Sequence, residues 1–352
     1  MYSLILLHCR YLCQAQAGLN KIFKNFPMPY QRRNPLKTSN RFSQVTAQWL
    51  PGGAYTTKLC VLALRPPLGY INGNRRKQPA KTKKLEEANM NKRDFTTIKL
   101  DQGEVHVYDF GSVKLHAYQT GDPLADEVFL LEKTGQFAVV ESPCFTDSIA
   151  ALNRYLEGKS VAGVLVAYHG AGASFQPQAP KYATANAVDY TENGGGRALI
   201  NQFTETFGAA FDGSTHPIDH IIGEGSVSIG GIGFVIHQTA EAFDVEIPEI
   251  NAVYTHMLGH DCHSIVAGAA HADGIIRQLK GYLQKGYELI LTSHYTPEDL
   301  KDAQTKIDYL EQLKTIAASC SDGEAFKKAV KARYPAYSGE NYLDMTAGFF
   351  FG

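Results

Sequence analysis

From residue 103 onward, short runs of the chain alternate apolar and polar positions, the period of two that marks strands with one buried face. Glu104–Phe110 and Val113–Gln119 read as a hairpin turning at Gly111-Ser112, and Glu127–Glu132 with Gln136–Glu141 as a second turning at Thr134-Gly135. The period then changes. Ile149, Leu152, Tyr155 and Leu156 recur at helical spacing within 145–156, and Val161–Ala167 follows as an apolar strand running into a Tyr-His-Gly-Ala-Gly stretch, Tyr168–Gly172. The pattern continues with a helix around Ala198–Phe207 and strands at Ile218–Ile222, Ser226–Ile229, Gly233–Thr239 and Ala252–His256. A helix over Ala272–Leu283, a strand over Glu288–Thr292 and two closing helices complete it, the first of these opening at Pro297. Strands, helix, strands, helix, strand and helices in that order suit two sheets packed face to face with helices outside, an α+β, four-layer αββα sandwich.

Residues 1–93 show neither period. They hold 17 of the 34 Lys and Arg and only 2 of the 35 Asp and Glu, leaving 17 basic and 33 acidic residues for 94–352. The net charge of −1 therefore conceals a basic segment joined to an acidic domain. Such a basic, Asn- and Pro-rich stretch buries too little apolar surface to offset its ordering entropy, which predicts disorder over 1–93. Met90, just ahead of the change in composition, reads as a translation start, so a chain beginning there is expected to melt at the same temperature as the full chain.

The acidic balance of 94–352 argues against nucleic acid, whose phosphates need positive grooves. No apolar run reaches the length of a membrane span. The six cysteines (Cys9, Cys13, Cys60, Cys144, Cys262 and Cys320) match neither a disulfide framework nor paired zinc knuckles, which favours a reducing, cytoplasmic setting.

Candidate chemistry sits at strand ends. His169 follows a strand in a glycine-rich loop, and His294 follows another in Leu291–Tyr295. Between them lies the densest group of coordinating side chains, His256, His260, Asp261 and His263. Imidazole and carboxylate together suit zinc, iron or manganese. Glu241 or Asp244 would serve as general base beside such a centre. His216, His237 and Cys262 read as structural. No G-x-S-x-G nucleophile elbow is present, which excludes the usual serine hydrolase, and no Gly-Lys-Ser/Thr supports a P-loop.

Val128–Glu132 with Ala138–Ser142 resembles the opening hairpin of the metallo-β-lactamase superfamily. The strand before His169 resembles the one that leads into that family's HxHxDH motif, and Leu289–His294 resembles the late strand that ends in its Gly-His. The resemblance spans about 103–335 and implies a metallo-β-lactamase-like domain over 94–352 that hydrolyses an ester, lactone, thioester or phosphoester of a small molecule with a divalent metal, zinc first. It departs from the family at the ligands. Ala171, Ala173 and Ser174 stand where the motif has His, Asp and His, Glu141 replaces the Asp of the early turn, and the His expected near 239–242 is absent. Only His169 and His294 match by position, so the expectation is a rebuilt one-metal centre in which they are joined by His256, His260, Asp261 or His263. The alternative is a metal-free protein on the same fold that binds a ligand or partner, a second copy of the chain among them.

Overall fold

The computed structural model describes residues 94–257, 259–294 and 296–352. The disorder expected over 1–93 lies outside the described residues.

Eight strands form the first sheet in simple chain order: β1 (Thr96–Lys99), β2 (Glu104–Asp109), β3 (Lys114–Gln119), β4 (Glu127–Lys133), β5 (Gln136–Val140), β6 (Ser160–Leu165), β7 (Lys181–Thr184) and β8 (His220–Ile222). β1 to β5 are an antiparallel meander. The later neighbours pair in parallel, β5 with β6, β6 with β7 and β7 with β8. The second sheet has five strands in the order β13-β12-β11-β10-β9: β9 (Gly225–Ile229), β10 (Ile232–Gln238), β11 (Phe243–Ile247), β12 (Ala252–Thr255) and β13 (Leu289–Thr292). Its pairs are antiparallel except β12 with β13. The turn between β4 and β5 shows why a tight hairpin forms there: Thr134 and Gly135 both have positive φ, at 49° and 79°, as a two-residue hairpin turn of this hand requires.

Alternation along single strands builds the layers. In β4, Phe129 and Leu131 face the other sheet, while Val128 and Leu130 face Ile149 and Leu152 of α1 (Thr146–Tyr155). In the second sheet Tyr254, Leu289 and Leu291 face inward, and Val253 and Ile290 face an outer layer of four helices. These are α4 (Ala269–Lys285), α5 (Leu300–Ser319), α6 (Gly323–Arg333) and α7 (Glu340–Phe351). The inner core therefore holds Phe129, Phe234, Phe243 and Tyr254 between the sheets, with helices on both outer faces. This is the expected αββα sandwich.

Several details differ from the sequence reading. β1, β7 and β11 and the helix α2 (Ala185–Asn193) are additional elements, and α2 runs directly into α3 (Gly195–Phe207). Three helices rather than two close the chain. The first of them begins at Leu300, not Pro297, because Asp299 caps it: its carboxylate accepts from the backbone N–H of Lys301 and Asp302, and the Asp302 carboxylate accepts from the Asp299 N–H.

Candidate metal centre

Three strand ends converge at one edge of the sandwich. His169 follows β6, His256 directly follows β12, and His294 lies just past β13. β12 and β13 pair in parallel with Thr255 opposite Thr292, so their ends emerge side by side and bring His256 and His294 together. The ring centroids are 5.3 Å apart for His256–His294, 5.6 Å for His169–His294 and 5.7 Å for His169–His256. One imidazole nitrogen from each lies within 4.8 Å of the other two.

The loop carrying His169 is fixed from beneath by Glu141. This side chain is fully buried on a residue with φ of 70°, and its carboxylate accepts from the backbone N–H of Tyr168 at 2.8 Å and of His169 at 2.9 Å. The Tyr254 hydroxyl donates to the same carboxylate and lies 3.0 Å from Ser293 Oγ. Glu141 thus ties the β6 end to the β12 and β13 ends. Gly170 lets the loop close against α2, since a Cβ there would meet Thr191 Cγ2 and Oγ1 at 2.4 Å.

His256 presents one side to solvent and the other to Tyr168, whose ring stacks on it with centroids 4.4 Å apart and planes 23° from parallel. Tyr168 is held in turn by a 2.8 Å bond between its hydroxyl and Thr239 Oγ1. His294 Nδ1 donates to the Leu124 carbonyl at 3.1 Å and lies 3.2 Å from Asp126 Oδ1, so the nitrogen free to coordinate is Nε2. Asp126 pairs with His294 in an isolated antiparallel bridge, and the Glu127 N–H donates to the Ser293 carbonyl at 2.8 Å.

Charge follows this geometry. Crowding by surrounding atoms, with His294 and His169 close by, holds the His256 pKa well below the usual imidazole value, which keeps its lone pair available. Burial alone would lower His169 as well, but the carboxylates of Asp126, Glu141 and Asp122 outweigh it and raise the pKa. Burial would raise Asp126, yet the charges of His169 and His294 pull it below the ordinary carboxylate value.

Of the six expected ligands, the structure brings together His169, His256 and His294. His260 turns away: its Nδ1 is 3.0 Å from Glu298 Oε1 and its Nε2 3.4 Å from Asp302 Oδ1, and Glu298 with the other acidic neighbours raises its pKa against burial. His263 is buried with its Nδ1 3.2 Å from the Tyr309 hydroxyl, and Asp261 is exposed on the same loop. The loop leaves the site because Lys306 of α5, itself buried, donates to the carbonyls of Gly259 at 2.8 Å and Cys262 at 3.3 Å. Asp244 also points elsewhere. Phe243 and Val245 face the inner core, so period two sends Asp244 to the opposite face of β11, where Gln278 of α4 donates to it at 2.9 Å. Glu241 is exposed in the turn after β10, two residues beyond the Thr239 that holds Tyr168. Asp126 is the site residue that sequence reasoning missed, since nothing near it in the chain signals a partner as remote as His294.

A cavity of about 290 Å³ lies between α2 and the ends of β6 to β8, lined by Val166, Gly170, Ala187, Thr191, His216 and Ile221 among others. None of the three clustered histidines lines it. His216, in its lining, is buried, with Nε2 2.9 Å from Ser142 Oγ, and burial lowers its pKa to about 4.

Two mixed sheets face to face between helices, with coordinating side chains gathered past the ends of β6, β12 and β13, define an αββα sandwich, the layering expected of a metallo-β-lactamase-like domain. By sequence, no family model and no curated protein matches the chain. Among solved structures it is similar to a metallo-beta-lactamase family protein from Thermus thermophilus, at 13% identity over 67% of this chain and 90% of the other, with a TM-score of 0.46. It is similar also to a metallo-beta-lactamase from Pontibacter korlensis, at 13% identity over 62% and 99%, with a TM-score of 0.41. A third likeness is to a stereoselective inverting sec-alkylsulfatase from Pseudomonas sp., at 12% identity over 67% of this chain, with a TM-score of 0.46. The chain spans about half the length of that sulfatase, 48%.

Proposed function

We propose that the chain is a metal-dependent hydrolase of small molecules, with one divalent ion, zinc first, held by His169, His256 and His294. The observation that carries this reading is the convergence of three imidazole nitrogens within 4.8 Å at strand ends. Three imidazoles, each yielding any proton to the ion on binding, suit zinc, and three protein ligands leave a coordination position open, as catalytic sites require. The residues after His169 fit a single ion rather than two, because Ala171 and Ala173 offer no donor atoms. Bound there, the ion would supply Lewis-acid polarisation of an ester, lactone, thioester or phosphoester oxygen.

The chain's own residues do the rest. Tyr168 walls one side of the site and holds the His256 ring by stacking. Glu241, exposed in the turn after β10, is the carboxylate that would take a proton from attacking water. Asp244, committed to Gln278 beneath α4, is not assigned that role.

Elemental analysis of the purified full chain tests the reading, beside His169→Ala, His256→Ala and His294→Ala. About one equivalent of metal in the parent, lost in all three variants, is expected for a three-ligand site with one open position. No metal in the parent after reconstitution with zinc, iron and manganese would sink it and leave a metal-free binding protein on the same fold.

A further inference from the structure

We infer that Asp126 is a positioning residue for the third metal ligand, acting on His294 from the other sheet; the inference rests on the metal-centre reading above. His294 follows β13 of the five-stranded sheet, whereas Asp126 ends the connection from β3 to β4 of the eight-stranded one. The two meet in an isolated antiparallel bridge, reinforced by the Glu127 N–H donating to the Ser293 carbonyl.

The connection is built to hold this contact. The Thr120 hydroxyl donates to the Asp126 carbonyl at 2.8 Å, and Asp122 Oδ1 accepts from the backbone N–H of Leu124 at 3.0 Å and of Asp126 at 3.3 Å. These bonds close residues 120–126 into a compact turn. The turn presents two acceptors to one proton: the Leu124 carbonyl at 3.1 Å and the Asp126 carboxylate at 3.2 Å from His294 Nδ1. The hydrogen points at the Leu124 carbonyl, which fixes the tautomer. The Asp126 carboxylate, 2% exposed and with Oδ1 accepting no aligned hydrogen bond, acts on the ring by its charge.

The consequence is directional. With Nδ1 protonated and facing a buried negative charge, Nε2 is turned toward His169 and His256 and made a better donor to a cation, as a carboxylate behind a ligating imidazole does generally. The orientation of the third ligand is thus set by a turn that supplies none of the ligands.

The test uses the full chain and Asp126→Asn, which keeps shape and removes charge. Imidazole ¹⁵N–¹H spectra of the metal-free proteins are expected to show His294 protonated at Nδ1 in the parent, with the proton resonance moving upfield in the variant. Zinc affinity, measured by competition with a chelating dye, is expected to weaken roughly 10- to 100-fold. A parent that binds no zinc yet shows the Nδ1 proton responding to Asp126→Asn supports the positioning contact and sinks the metallohydrolase reading alone. A parent with His294 protonated at Nε2, or a variant whose Nδ1 resonance and zinc affinity both match the parent, overturns the inference.

Discussion

Tyr168 lies face to face with His256, their ring centroids 4.4 Å apart, so the one clustered histidine that faces solvent leans on an aromatic wall. The wall is anchored at its far end by Thr239 Oγ1. Tyr168→Phe keeps the stack and loses that bond. Because Thr239 Oγ1 still accepts from the Ala242 N–H, no buried acceptor is orphaned, and the expected loss of stability is about 0.5–1.5 kcal/mol with metal content unchanged. Tyr168→Ala removes the wall and is expected to lower metal occupancy. Urea denaturation and elemental analysis of both variants check this; equal occupancy in the two would show that the stack does not hold His256.

Glu141 gathers three donors from two different sheets. Glu141→Ala leaves the N–H groups of Tyr168 and His169 and the Tyr254 hydroxyl without their acceptor, at an expected cost of roughly 3–5 kcal/mol. Metal content should fall with it, since the His169 backbone loses its anchor. A variant with parental metal content and a melt unchanged would refute the anchoring role.

Asp244 gives a pH signature. Burial raises its pKa to about 6, above the unfolded value of about 3.9. The folded state therefore holds this proton longer, and the stability it contributes is full below pH 3.9 and is lost as the pH rises through about 6. Asp244→Asn, which still offers an acceptor to Gln278, removes that loss. It is expected to exceed the parent at pH 7 by about 1–3 kcal/mol, the gap closing toward pH 4. Denaturant midpoints across that range decide it, and a variant weaker than the parent at pH 7 would show that the ionised carboxylate is the stabilising form.

Gly170 is where the His169 loop meets α2. Gly170→Ala drives a methyl into Thr191 and is expected to destabilise by about 1–3 kcal/mol. Adding Thr191→Ala removes the two nearest atoms and should recover part of the loss. Two losses that simply add would place the strain elsewhere.

The layers were legible in the sequence because β2 and β3 alternate and β4 and β5 are apolar runs on either side of a Thr-Gly turn, and His169 and His294 because each follows an apolar strand. β1 and β7 were not legible, being four residues each with Thr and Lys prominent, too short to display a period. β11 does alternate, Phe243, Val245 and Ile247 against Asp244 and Glu246, and Asp244 read as a catalytic base is instead the outward residue of that strand. The run from 256 to 263 looked like one ligand cluster. Its dispersal depends on Lys306 and Glu298, which pull the loop toward α5 and reveal nothing of this in the local sequence. Asp126 is the converse case, a residue whose role exists only through a contact between sheets.

The three histidines also do not come from one sheet. His169 extends from the eight-stranded sheet, while His256 and His294 extend from the five-stranded one. An ion shared among them would be a rivet through the open edge of the sandwich. None of the three strand ends could lift from that edge without first giving up the ion, so the loaded protein should protect the amide hydrogens near the ends of β6, β12 and β13 together, and chelation should loosen that edge while the shared core still holds the sheets.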